Sequence, residues 1–263
     1  MIRQVDPALD QELAYHEKLY SGFAQQHFAK PAVRALREHM VRRILKATGI
    51  GRQSRVLSVG CGIADTELLL ARHVGEVVGV DLSPTAISQA ELDAQRAGVT
   101  NFRGVRGTLE DLASSLGSFD AVIAIFFLHH LPDAALNAFP GIVEPLLNTG
   151  GSFYALDPSR YRLSGFIGER MFPKLMARYQ SPGERQLSPS ETARIFERGG
   201  FDIRQSYYDF VSTPLAGLTP SWSFGYRAAR VLDELLIRTP GLKLAASNFE
   251  LTGTPLSRKV PPE

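Results

Sequence analysis

The feature that most constrains this chain is an alternation between residues 31 and 158. Apolar runs too short to be helices are separated by segments with helical spacing. The runs lie at 55–59, 76–80, 101–105, 119–128 and 150–158, and the helical segments at 31–47, about 65–73 and 84–97. Within 31–47, Val33, Leu36, Met40 and Ile44 recur at the helical period, with basic residues at other positions. A run such as FDAVIAIFFL (119–128) has no polar face, as expected of a strand covered on both sides. Strands and helices in turn, joined by short connections, give an α/β fold: a doubly wound, Rossmann-like parallel sheet. No internal repeat or low-complexity segment breaks the pattern.

The first strand runs into VLSVGCGIADTE (56–67), an apolar run followed by Gly-x-Gly and the start of a helical segment. In a dinucleotide-binding turn, glycines stand at the first, third and sixth positions and the helix N-terminus cradles a pyrophosphate. Here those positions are Gly60, Gly62 and Asp65, and a carboxylate at the last would repel phosphates. A ligand without phosphates removes the conflict, and an Asp in the first helical turn then favours the helix dipole. Gly60 and Gly62 allow the backbone to pass close under a ligand. Asp81, at the end of the second strand, is placed to accept hydrogen bonds from a ribose diol. The residues point to a nucleoside without phosphates.

Composition narrows the setting. A chain of 263 residues, 44% hydrophobic and 21% charged, can bury one large core with an appended cap. A net charge of +2 offers no global field for nucleic acid, and no nucleic-acid partner is expected. The single cysteine excludes an intrachain disulfide, and the longest apolar run, 121–128, is too short to span a bilayer. Residues 1–20 carry no apolar core, so no signal peptide is expected and a cytoplasmic location is the default.

In order and spacing, VLSVGCGIAD, VVGVDLS, FDAVIAIFFLHHLPD and GGSFYALDP resemble the motifs of class I S-adenosylmethionine-dependent methyltransferases. The resemblance covers about residues 50–205 and is to the small-molecule type, similar to quinone-biosynthesis methyltransferases. It implies a seven-stranded sheet whose last strand is antiparallel, with S-adenosyl-L-methionine as cofactor. By position, Gly60, Cys61 and Gly62 would pass beneath the methionine part, Asp81 would hold the ribose hydroxyls and Leu82 would flank the adenine. Thr108, Leu109 and Glu110 would line the adenine's far side, and Ala124 and Ile125 would lie beside the methionine end. Two positions depart from the family. Ser58 stands where an acid is usual and supplies no charge to the cofactor's ammonium. Thr108 stands where an Asp is frequent and accepts from the adenine amino group more weakly than a carboxylate. Modest cofactor affinity is expected.

His129 and His130 follow the fourth strand, near where the family places the transferring methyl. Either imidazole could act as a general base, or the pair could serve packing and helix entry. Transfer from a sulfonium depends mainly on in-line placement, so a base is not obligatory. The only carboxylate near the pair in sequence is Asp133, and no metal site is expected.

The acceptor must be read from segments outside the core. Residues 1–48 form a helical segment expected to close over the cofactor, and residues 49–263 a methyltransferase core with cap insertions at about 158–187 and 213–245. The first insertion mixes Phe166, Met171 and Phe172 with several arginines and ends before a capping box, Ser188-Pro-Ser-Glu191. The second sets Ala228, Leu232, Leu235 and Leu236 on one helical face, expected to pack on the sheet, with Trp222 just before it. Phe166, Met171, Phe172 and Trp222 are the candidate lid over a small, largely apolar acceptor such as a lipid, a quinone or a natural-product-like compound. Peripheral membrane contact is a second reading of both insertions. Two other functions fit parts of the pattern: a regulatory or scaffolding protein that binds the cofactor without turnover, and an NAD(P)-dependent oxidoreductase, which Asp65 opposes.

Overall fold

The computed structural model describes residues 13–15, 17, 20, 27, 29–171 and 185–258. Strands β1 (Arg55–Val59), β2 (Glu76–Asp81), β3 (Phe102–Arg106), β4 (Phe119–Ile125), β5 (Leu147–Pro158), β6 (Phe201–Asp209) and β7 (Asn248–Pro255) form one seven-stranded sheet in the order β3-β2-β1-β4-β5-β7-β6. The first five strands are parallel, and β7 runs antiparallel between β5 and β6. Strand order reverses between β1 and β4, which opens the crevice where ligands of such sheets bind.

Alternating side chains feed two cores. Leu57, Val122 and Phe153 point to one face, where Phe153 stacks on Phe196 at 4.5 Å between ring centroids. Their neighbours Val56, Ala121 and Tyr154 point to the other, against Leu36, Met40 and Ile44 of helix α1 (Pro31–Thr48). Helix α1 starts with a proline in its first turn and ends at Gly49, whose left-handed backbone (φ 71°) turns its N–H onto the Leu45 carbonyl.

The remaining helices are α2 (Glu67–Leu70), α3 (Pro84–Arg96), α4 (Leu109–Leu116), α5 (Asp133–Val143), α6 (Leu163–Met171), α7 (Pro189–Arg198), α8 (Ser212–Leu218) and α9 (Ser223–Arg238). Helix α2 is a single turn rather than the longer helix expected over 65–73. Strand β4 stops at Ile125 instead of running to 128, because Phe126 takes a left-handed backbone (φ 53°) and a 3-10 turn over Leu128–His130 follows. The expected cap of α7 is present, with Ser188 Oγ accepting the Glu191 N–H at 3.4 Å.

Helix α9 is rotated from its expected orientation. Its buried residues are Gly225, Tyr226, Ala229, Arg230 and Asp233, whereas Ala228, Leu232 and Leu235 face outward and Leu236 is half-buried. The cause is polar. The turn after β6 presents the N–H groups of Phe210, Val211 and Ser212, and the Asp233 carboxylate accepts them at 3.0, 2.9 and 3.0 Å. Arg230 donates to the Tyr208 carbonyl at 3.0 Å. Buried main-chain donors left without acceptors cost more than exposed leucines, so this anchoring overrides the apolar period.

Candidate functional site

The site is built on the carboxyl ends of β1, β2 and β4. Gly60 and Gly62 have φ of 69° and 52°, a region glycine enters without strain. The N–H groups of Gly60 and Cys61 donate to the Val80 carbonyl at 2.8 and 3.1 Å, tying the loop to β2. Neighbouring side chains also crowd both positions. A Cβ on Gly60 would lie 2.3 Å from the Phe127 ring, and one on Gly62 would lie 2.6 Å from the Tyr20 hydroxyl. Ala64 shares the left-handed conformation (φ 58°) without that freedom.

Asp81 Oδ2 accepts the Gly62 N–H at 2.8 Å and Oδ1 accepts the Ser83 N–H at 2.9 Å. These bonds fix the carboxylate at the mouth of the loop. A carboxylate oxygen can accept more than one hydrogen bond, hydroxyls included. Asp65 is accounted for by Arg37 of α1, whose Nε lies 2.6 Å from Oδ2 in a largely buried ion pair. Arg37 also stands 5.9 Å from the centroid of the Phe126 ring, so α1 meets both the loop after β1 and the turn after β4.

Ser58 is not without an acid. Its hydroxyl donates to Glu67 Oε1 at 2.6 Å, and both side chains are buried. Burial pushes the Glu67 carboxyl up to about 7; the Ser58 bond works against that rise and the Asp65 charge adds to it. Sequence reading missed Glu67 because it comes from the following helix rather than from the strand.

The remaining candidate positions divide. Thr108 caps α4, accepting the Asp111 N–H at 3.2 Å and donating to its carboxylate at 2.9 Å. Leu109 and Ala124 have side chains in the core, Glu110 is exposed, and Leu82 and Ile125 are half-buried. Cys61 is buried, and burial pushes its thiol up. Two N-terminal residues not singled out by sequence reach this region. Glu17 accepts from the Ser83 and Thr85 hydroxyls at the start of α3. Burial alone would raise its carboxyl, but those bonds outweigh it and hold it below the usual range. Tyr20 packs against Ile63, and burial together with the Asp81 carboxylate pushes its phenol up, keeping it neutral.

At the end of β4, His129 Nδ1 lies 2.7 Å from Asp157 Oδ1, which also accepts the His129 N–H at 3.2 Å. The reading that left Asp133 as the only carboxylate near the histidines is therefore corrected. Asp157, at the end of the neighbouring β5, is fully buried and is pushed up to about 8 by burial, against backbone hydrogen bonds from His129 and its neighbours. Its Oδ2 is buried with no hydrogen-bond partner among the described residues. The His130 ring lies 4.0 Å from that of His129, and Arg185 donates its N–H to the His129 carbonyl at 2.9 Å while pairing with Asp133. A carboxylate that accepts from one imidazole nitrogen fixes the ring's tautomer and orientation, the arrangement a general base needs. Among the described residues no group of three His, Cys, Asp or Glu side chains is placed to hold a metal ion.

Phe166 is 72% exposed on α6, Trp222 is exposed at the start of α9, Met171 ends α6, and Phe172 lies outside the described residues.

A family model described as a methyltransferase domain matches residues 56–151. The ubiquinone biosynthesis O-methyltransferase of Acinetobacter baylyi is 26% identical over 203 residues, spanning 76% of this chain and 84% of the relative. A protein of the same name from Hahella chejuensis is 30% identical over 153 residues, 57% of this chain and 63% of the relative. Among solved structures, a DhpI–SAH complex aligns with a TM-score of 0.61 at 16% identity, covering 94% of this chain and 96% of that one. A SAM-dependent methyltransferase from Archaeoglobus fulgidus aligns with a TM-score of 0.59 at 19% identity, covering 88% and 97%. At these identities the structural likeness speaks for the fold.

Proposed function

We propose that this chain, which belongs to the class I S-adenosylmethionine-dependent methyltransferases, transfers the methyl group to a hydroxyl of a small, largely apolar acceptor. The His129–Asp157 pair at the carboxyl ends of β4 and β5 carries the choice of a hydroxyl. Two relatives named as ubiquinone biosynthesis O-methyltransferases support both the oxygen and the apolar character.

The residues fit the cofactor. Gly60 and Gly62 hold the left-handed turn that brings the main chain to the carboxyl ends of β1 and β2, and Asp81, fixed there by the Gly62 N–H, is the acceptor offered to ribose hydroxyls. Glu67, under Ser58, supplies the acid that β1 lacks. Bound S-adenosylmethionine supplies a methyl group on a sulfonium. On the acceptor side, the state of Asp157 sets the state of His129. With the carboxyl ionised, Nδ1–H donates to it and the ring is the tautomer whose Nε2 can take the hydroxyl proton when the acceptor binds. With the carboxyl protonated, its O–H donates to Nδ1 and the ring carries its proton on Nε2, where it cannot act as a base. Turnover should therefore rise with pH as Asp157 ionises, toward about 8.

The test is transfer of labelled methyl from S-adenosylmethionine into a cell extract. Label in the solvent-extractable fraction, lowered about 10²-fold or more by His129→Asn with cofactor affinity unchanged, supports this reading. Label in tRNA or protein overturns the acceptor class, and equal loss of cofactor binding and turnover makes His129 a packing residue. Tight cofactor binding with no transfer to any fraction would favour the regulatory alternative.

A further inference from the structure

We propose that the outward face of α9, continued by the turn Leu242–Ala245, docks on an anionic lipid surface. Phe224, Ala228, Val231 and Leu235 are exposed and spaced four, three and four residues apart, so they form one stripe down the helix, with Leu232 beside it. Phe224 is 76% exposed, Val231 64% and Leu235 60%, and Leu242 and Leu244 extend the patch. The helix is inside out for one that lies on a core. Its protein-facing side is fastened by Asp233 and Arg230, so the stripe contributes nothing to holding it in place. A contiguous exposed apolar stripe of this kind marks an interaction surface.

Charge and neighbouring elements identify the occupant. The exposed charges around the stripe are Arg227, Arg238 and Lys243 against Glu234, with the two arginines at opposite ends of the outward face. Trp222, exposed at the N-terminal end, is the amphipathic aromatic that a lipid interface accommodates. A helix of 16 residues, about 24 Å long, can lie flat with its apolar stripe among acyl chains and its cations at headgroup level. A second copy bound through the same face would bring like cations together under two-fold symmetry, whereas anionic headgroups neutralise them. The other insertion reaches this edge: Ser164 Oγ on α6 lies 2.6 Å from Ser247 Oγ, and α6 adds exposed Leu163 and Phe166.

Co-sedimentation of the full chain with vesicles tests the inference without reference to turnover, so it stands or fails apart from the acceptor reading. Binding to phosphatidylcholine vesicles containing phosphatidylglycerol is expected, weakened by salt, with little binding to phosphatidylcholine alone. Phe224→Ser combined with Leu235→Ser should lower apparent vesicle affinity about ten-fold or more. Arg227→Gln, Arg238→Gln and Lys243→Gln together should reduce the preference for the anionic vesicles about ten-fold or more. Both variants should bind S-adenosylhomocysteine as the parent does, which certifies their fold. Unchanged vesicle binding in both variants overturns the proposal. So does a concentration-dependent dimer, abolished by the apolar variant, in a protein that ignores both kinds of vesicle.

Discussion

The loop after β1 and the segment between β6 and β7 solve opposite problems. In the loop, main chain makes the turn: left-handed glycines, and N–H groups turned onto Val80 and Asp81. In α9, buried side chains reach back to another element's main chain, and three N–H groups decide which way the helix faces. Turn chemistry is local, so it is written in consecutive residues. Anchoring is not local, and a hydrophobic period read without it points the wrong way.

The comparison is sharpest where one helix carries both kinds of residue. Asp233→Ala should destabilise the protein by about 3–5 kcal/mol, the scale of breaking a buried charged network, while Leu235→Ser on the same helix stays within about 0.5 kcal/mol. Chemical denaturation of the two variants measures this, and equal losses would return the leucines to a packing role.

In the loop, the largest effect expected is on pH dependence. The folded state holds a proton on Glu67 up to about 7, above an ordinary value of 4.5, so the native state binds more protons than the unfolded state between those values. Stability from this group is therefore full below about 4.5 and is lost as pH rises through about 7. Glu67→Gln should flatten that decline by up to about 3 kcal/mol, seen as a gain in thermal stability at pH 8 that is missing at pH 4. A variant whose melting temperature tracks the parent at both pH values would show that the carboxyl is not proton-bound.

Asp81→Ala should weaken S-adenosylhomocysteine binding by about 1.5–3 kcal/mol in calorimetry, the scale of lost hydrogen bonds to a charged group. Undiminished binding would remove the ribose assignment. The smallest effect belongs to Ala64→Gly, which relieves a left-handed alanine and should leave stability unchanged or raise it by about 1 kcal/mol. A loss in the denaturation midpoint would mean that the methyl group packs better than its backbone conformation costs.

The parallel sheet was legible because runs such as VLSV and FDAVIAI have no polar face, and the glycine turn was legible because Gly60, Gly62 and Asp81 lie within two consecutive strand–turn units. What stayed hidden are pairs joined only by the fold: His129 with Asp157 across β4 and β5, Ser58 with Glu67 across a turn, Arg37 with Asp65 across α1. Asp65, unsuited to a phosphate site, proves to be the loop's fastening to α1, which no reading of the turn by itself could supply.

The ring of Phe127 occupies the space where a side chain on Gly60 would begin. In evolutionary terms the two positions form a lock. A residue larger than glycine can appear at 60 only after the aromatic at 127 has shrunk or turned, and the shrunken intermediate carries a void with nothing yet to fill it. Phe127 is two residues before His129, so any lineage that crosses this valley remodels the turn presenting the imidazole as well. Drift at the glycine loop is thus answerable to selection at the histidine turn, and variation is expected to enter the two loops together.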